Sequence, residues 1–105
     1  MTQEELKQFL LTIDPKLKKC FWNGTGEDYT VWTPHNPQTE MSDDQPEDVI
    51  YTVTINRFTK NPNDTIINQI KFGLDAAFVA CDDVITDFEY ETGYFHHILN
   101  CYVSQ

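Results

Sequence analysis

A chain of 105 residues holds one domain and is too short for two ordinary ones. Its 13% aromatic and 40% hydrophobic residues can build a core, which excludes wholesale disorder. Seventeen acids against seven Lys and Arg leave a formal net charge of −10, and no basic residue follows Lys71, so a surface that grips nucleic-acid backbones is excluded. An acidic surface repels DNA, mimics it toward a basic partner, or simply keeps the chain soluble.

The first predicted element is a helix. Thr2 followed by Glu5 makes a capping-box pattern, and Leu6, Phe9, Leu10 and Ile13 recur at helical spacing. Asp14-Pro15 ends it, because the residue before proline avoids the α region. A helix of about three turns is marginal alone and must dock on something apolar.

Leu17 to Trp22 reads as a short strand, Asn23-Gly24-Thr25-Gly26 as a turn, and Tyr29 to Trp32 as the next strand, which predicts a hairpin. Residues 33 to 48 change character. Thr33-Pro34-His35-Asn36-Pro37 opens the segment, Ser42-Asp43-Asp44-Gln45-Pro46-Glu47-Asp48 closes it, and Met41 is the only apolar side chain in its middle. A loop this long in so small a domain is functional or disordered.

Asp48 to Thr59 reads as the longest strand. Tyr51, Val53 and Ile55 alternate with Thr52, Thr54 and Asn56, while Ile50 and Phe58 lie on the second face, as in a central strand. A second helix is predicted from Asn61-Pro62-Asn63-Asp64, with Asn61 as cap, and carries the stripe Ile66, Ile67, Ile70, Leu74, Ala77 and Phe78. Gly73 within it costs about 1 kcal/mol relative to alanine and is expected to let the helix lie close to the sheet. Val84 to Glu91 and Tyr94 to Val103 read as strands joined by a tight turn at Glu91-Thr92-Gly93, an antiparallel hairpin whose second strand points Phe95, His97, Leu99, Cys101 and Val103 inward. The expected fold is α+β: a mostly antiparallel sheet of about four to five strands with two helices packed on one face. Its exposed edges invite pairing with neighbours.

Chemistry is hard to find. Cys20, Cys81 and Cys101 are odd in number with no close pair, which argues against a disulfide framework. Asp82-Asp83 beside Cys81 disfavour a thiolate, and Cys101 reads as a small buried hydrophobe. His96 and His97, adjacent on a strand, point to opposite faces and cannot share a metal; His35 lies in the loop. No metal-ligand spacing is present, and Asp43-Asp44, Asp82-Asp83 and Glu89/Glu91 lack the calcium-loop pattern and read as solvated. Gly24 and Gly26 make no phosphate loop. The strand aromatics, interleaved with acids, read as core and interface. No catalytic, metal or cofactor site is expected; an enzyme would need one assembled from distant residues such as His97, Asp87 and Cys101. Without a basic, apolar leader or a membrane-length apolar run, the expected setting is a reducing cytoplasm with free thiols.

Two stretches carry a family pattern. Tyr51-Thr52-Val53-Thr54-Ile55-Asn56-Arg57-Phe58-Thr59-Lys60 leads into a helix, and Asp87-Phe88-Glu89-Tyr90-Glu91-Thr92-Gly93-Tyr94-Phe95-His96-His97-Ile98-Leu99 closes the chain. With the amphipathic first helix and the hairpin leading to a long loop, they resemble the tail terminator or tail completion proteins of long-tailed phages and prophages, in which a Glu/Asp-Thr-Gly-Tyr-x-His-like turn recurs near the C-terminus. The resemblance spans most of the chain, and Glu91 to His97 is its most specific part. It implies a structural, non-enzymatic protein without cofactor, forming a homo-oligomeric, hexameric ring on the head-proximal end of the tail tube. Such a ring ends tube growth and presents the head-joining surface. The implied partners are further copies of the chain, the tail tube protein and a head-completion protein; DNA passes through without being bound, and no membrane is involved. The implied location is the virion tail, assembled in the host cytoplasm. The contact element for neighbouring subunits or the tube would be the loop from Pro34 to Glu47, with Pro34, His35, Asn36, Met41, Asp43, Asp44 and Glu47 as its contact residues. An acidic lumen would keep DNA moving, and one heterologous interface repeated until it closes would make the ring. The alternative is an acidic inhibitor or DNA mimic that binds a basic host protein. Mimics array acids along one face, whereas the second helix carries only Asp75.

Overall fold

In the computed structural model, which describes residues 1–20, 28–35 and 50–104, Thr2 caps helix α1 (Gln3–Ile13). The Thr2 hydroxyl accepts from the Glu5 N–H at 3.1 Å, and the Glu5 carboxylate accepts from the Thr2 N–H at 2.9 Å, the reciprocal box read from the sequence. The helix stops at Asp14. The chain then runs through β1 (Lys18–Lys19), β2 (Tyr29–Pro34), β3 (Tyr51–Thr59), α2 (Ile66–Ala76), β4 (Ile85–Glu89) and β5 (Tyr94–Val103). The strands form one sheet in the order β1-β2-β3-β5-β4. Among the described residues, the strands pair antiparallel except β1 with β2, and an isolated parallel bridge joins Thr2 to Ser104. The fold is the expected α+β arrangement.

Alternation explains the layers. Along β3 the odd residues Val53, Ile55, Arg57 and Thr59 are buried, and the even ones between them are half-buried. Register carries this face across the sheet: Trp32 opposes Ile55, Leu99 opposes Ile55 from the other side, and Cys101 opposes Val53. Leu6 and Leu10 of α1 and Ile67, Ile70 and Leu74 of α2 cover it, closing a core with Trp32, Val53, Ile55, Leu99, Cys101 and Val103. Each fully buried Leu or Ile contributes about 1.5–3 kcal/mol.

Several expectations are corrected. The predicted hairpin between β1 and β2 is a parallel pair, Lys18 opposite Val31 and Lys19 opposite Trp32. Cys20, at φ 68°, turns the chain out of strand conformation immediately after β1. The turn at 23–26 lies outside the described residues, as do Asp48 and Val49 of the predicted long strand. Thr33 and Pro34 belong to β2, paired with Thr54 and Val53, and not to a loop. Proline is tolerated there because, among the described residues, β1 pairs only up to Trp32 and no strand lies beside Pro34 on that side.

The second helix begins at Ile66 rather than at Asn61. Asn61 instead makes a turn, its side chain accepting from the Asn63 N–H at 2.9 Å, and the Asp64 carboxylate takes the Arg57 fork while its Oδ2 also accepts from the Ile66 N–H at 3.3 Å. Gly73 serves a helix–helix approach and not a helix–sheet one: a Cβ there would lie 2.3 Å from Cζ of Phe9. The apolar stripe also stops early. Ala77 caps the helix, and Phe78 adopts φ 60° and is 96% exposed. The Val79 N–H donates to the Leu74 carbonyl and the Phe78 N–H to the Asp75 carbonyl, a Schellman closure with Phe78 where glycine is usual.

Candidate assembly surface

Of the predicted contact residues, Pro34 and His35 are described, whereas Asn36, Met41, Asp43, Asp44 and Glu47 lie outside the described residues. Pro34 is a strand residue. His35 is exposed but anchored: its N–H donates to the Thr52 carbonyl at 2.9 Å, and its Nε2 lies 2.9 Å from the Thr54 hydroxyl. Thr54 in turn donates to Asn100 at 2.7 Å, so a polar row runs from His35, just past β2, across β3 to β5 on the face away from the helices.

The two other histidines point to opposite faces, as adjacent strand residues must. His96 stacks on Phe58 with ring centroids 4.1 Å apart, and its Nε2 meets the Asn56 side chain at 2.7 Å. Burial lowers its pKa, against the pull of Glu89 and Asp87. His97 lies on the helix-covered face, with Nδ1 2.8 Å from the Thr86 hydroxyl, and burial lowers its pKa as well. The triad of distant residues does not assemble. Asp87 opposes His96 and shares its face, while His97 and Cys101 share the other. Among the described residues, no cluster of three or more His, Cys, Asp or Glu could hold a metal.

What the sheet does present is two contrasting edges. β4 is its outermost strand, and its single strand neighbour among the described residues is β5. Ile85 is 60% exposed and Tyr90, just past the strand, 90% exposed. Phe88 packs edge-on against Tyr90 at 5.0 Å and against Phe95 at 4.9 Å, so the aromatics form a small cluster and not isolated exposures. Asp87, Glu89 and Glu91 alternate with them, and Asp87 to Thr92 line an open hollow that is both acidic and aromatic.

Toward the opposite edge, α1 and strands β1 to β3 border a groove of about 400 Å³ lined by Gln3, Glu4, Lys7, Lys19, Trp32 and Tyr51. The Lys19 ammonium sits 5.5 Å from the centre of the Trp32 ring. The Glu4 carboxylate accepts from the Gln8 amide. The groove sets Lys7 and Lys19 against the single acid Glu4, whereas every charged residue after Lys71 is an acid, so the groove is slightly positive and the β4 edge acidic.

The sequence reading missed one group altogether. Arg57, on the inward side of β3, donates through Nε and Nη2 to Asp64 at 3.1 Å each, and through Nη1 to Asp14 and Thr30 at 3.3 Å each. Asp28 lies 3.9 Å from it. Burial pushes the Asp28 carboxyl up, but hydrogen bonds from Thr59 and the Lys60 N–H, with the Arg57 charge, outweigh this and hold it below its ordinary value. The signal was present in the alternation Tyr51, Val53, Ile55, Arg57: a charge at an inward position must find partners.

This chain matches no protein-family model, no curated protein and no solved structure.

Proposed function

We propose that this chain is a structural subunit that packs head-to-tail with its own copies into a ring, and that the ring caps the tail tube of a long-tailed phage or prophage. The observation that carries the assembly reading is the outer strand β4 with the turn that follows it, which together expose Ile85, Phe88 and Tyr90 beside Asp87, Glu89 and Glu91. A sheet edge with exposed aromatics is a template for another chain. The oppositely charged groove at Lys7 and Lys19 supplies a complementary surface on the far edge. Two different patches meeting make a heterologous contact, which closes into a ring when the rotation between subunits allows. The placement at a phage tail rests on the resemblance of the Tyr51–Lys60 and Asp87–Leu99 stretches to tail terminator proteins.

The test is to measure the mass of the purified chain across a concentration series, alone and with the tube protein of the same genome. Rings, or particles bound at one end of tubes seen by electron microscopy, are the expected result. A chain that stays monomeric throughout and leaves tube length unchanged overturns the proposal. The reading as a nucleic-acid mimic gains nothing from α2, where Asp75 is the single acid and is paired with Lys71 at 3.1 Å.

A further inference from the structure

We propose that Cys81 and Cys101 are a redox-active pair that closes to an intrachain disulfide when the protein meets a peroxide or a small-molecule disulfide. Twenty residues separate them in sequence, yet the sheet places them directly opposite one another in an isolated antiparallel bridge. The ladder bonds define the kind of bridge. The Asp82 N–H donates to the Asn100 carbonyl at 2.9 Å and the Tyr102 N–H to the Ala80 carbonyl at 3.0 Å. These bonds flank the cysteines, so Cys81 and Cys101 form a non-hydrogen-bonded pair. In such a pair the Cα atoms approach to about 4.5 Å and the side chains are at their closest. Disulfides span Cα separations of about 4.4–6.8 Å, so the backbone needs little adjustment to close this one.

Both side chains face the same way. Cys101 is a fully buried member of the core, and Cys81 packs against that core from the edge. Cys81 is only half-buried, and its Sγ lies 3.5 Å from the Val79 carbonyl, so it is the sulfur an oxidant can reach. Burial pushes the Cys81 thiol up, and pushes Cys101 up to about 12, with Cys81 itself contributing to the latter. The pair is therefore slow to react at neutral pH and faster as pH rises.

The chemistry balances in two steps. The Cys81 thiolate attacks a peroxide oxygen, the O–O bond breaks, and a sulfenic acid and hydroxide form. The Cys101 sulfur then attacks the Cys81 sulfur, its proton leaves with the departing hydroxyl as water, and the S–S bond forms. Two electrons pass from the two thiols to the peroxide. With a small-molecule disulfide, the first attack gives a mixed disulfide and two small thiols leave in all.

The consequence is mechanical. Closure ties the α2–β4 connection to β5 immediately before the exposed edge strand. The register there already carries an extra residue, since four positions separate Cys81 from Ile85 while three separate Cys101 from Ile98. A cross-link beside this bulge restrains the approach to β4. Strand register brings the two cysteines together whether or not the chain forms a ring.

The test treats the reduced full-length chain with hydrogen peroxide or oxidised glutathione, blocks remaining thiols with iodoacetamide, and maps peptides by mass spectrometry without reduction. The expected product links Cys81 to Cys101, leaves Cys20 alkylated, and forms about tenfold faster per unit of pH below the thiol pKa. Cys81→Ser abolishes the link and Cys20→Ser retains it, and both variants are expected to fold because Cys20 is exposed and Cys81 only half-buried at the margin of the core. Full alkylation of Cys81 and Cys101 after oxidation overturns the proposal. So does a product in which Cys81 is joined only to glutathione or to Cys20.

Discussion

Arg57 and Asp64 meet as a two-bond fork, Nε to Oδ2 and Nη2 to Oδ1, both at 3.1 Å, with the two side chains about nine-tenths buried. The same guanidinium reaches Asp14, so a single residue of β3 joins the end of α1 to the approach to α2. Removing it leaves two largely buried carboxylates without their counter-charge. Arg57→Ala is expected to lower unfolding free energy by about 3–5 kcal/mol in urea denaturation. Arg57→Lys recovers only part of this, because an ammonium cannot make the fork.

The end of α2 holds the opposite opportunity. Phe78 occupies the left-handed region at φ 60° and is almost wholly in solvent, so it carries backbone strain without core packing in return. Phe78→Gly is expected to raise stability by about 1 kcal/mol, read as a higher thermal midpoint. If Phe78 also anchors a partner, the same variant weakens assembly while stabilising the subunit.

Gly73 predicts a cost where helix propensity alone predicts a gain. Alanine in a helix is favoured over glycine by about 1 kcal/mol, yet a Cβ here would fall 2.3 Å from the Phe9 ring. Gly73→Ala is expected to destabilise, and combining it with Phe9→Leu is expected to restore stability. The double-mutant cycle should show a favourable coupling of about 1 kcal/mol or more, measured from denaturation midpoints.

The histidines set a pH dependence. His96 and His97 are both held below the ordinary 6.5 by burial, so in the acid range the unfolded chain binds more protons than the folded one. Their contribution is therefore fully present above 6.5 and is lost as pH falls through the lower folded values. Chemical denaturation at intervals between about pH 7 and 5 should show falling stability, and His96→Gln should flatten the fall.

The charge contrast between sheet edges makes a swap experiment possible. Lys7→Glu with Lys19→Glu is expected to reduce self-association, as is Glu89→Lys with Glu91→Lys on the opposite edge. Mixing the two variants should restore association between them while each alone stays dispersed. Mass photometry of the single variants and of the mixture checks this directly.

Local patterns were legible where one segment settles them. The Thr2/Glu5 cap, the alternation of β3 and the hairpin at Gly93 each follow from residues a few positions apart, and the structure contains all three. The parallel pairing of β1 with β2 was not legible, because turn residues announce a reversal but not which neighbour a strand adopts. The predicted start of α2 failed for a similar reason. Asn61 suits a helix cap locally, but its side chain closes a turn onto the Asn63 N–H, and Asp64, at the positive end of the helix, shares its carboxylate between the Ile66 N–H and a buried arginine fixed by a different strand.

Composition, charge and periodicity by themselves determined an acidic α+β domain with two amphipathic helices, a sheet and a scarcity of chemical motifs. Those properties are sums over residues or repeats along one segment, so they need no partner in space. Only the tertiary structure decided which side chains meet: Arg57 with its carboxylates, Phe9 with Gly73, Cys81 with Cys101. Each pair depends on strand order and register, which are set by how the whole core closes and not by the residues on either side.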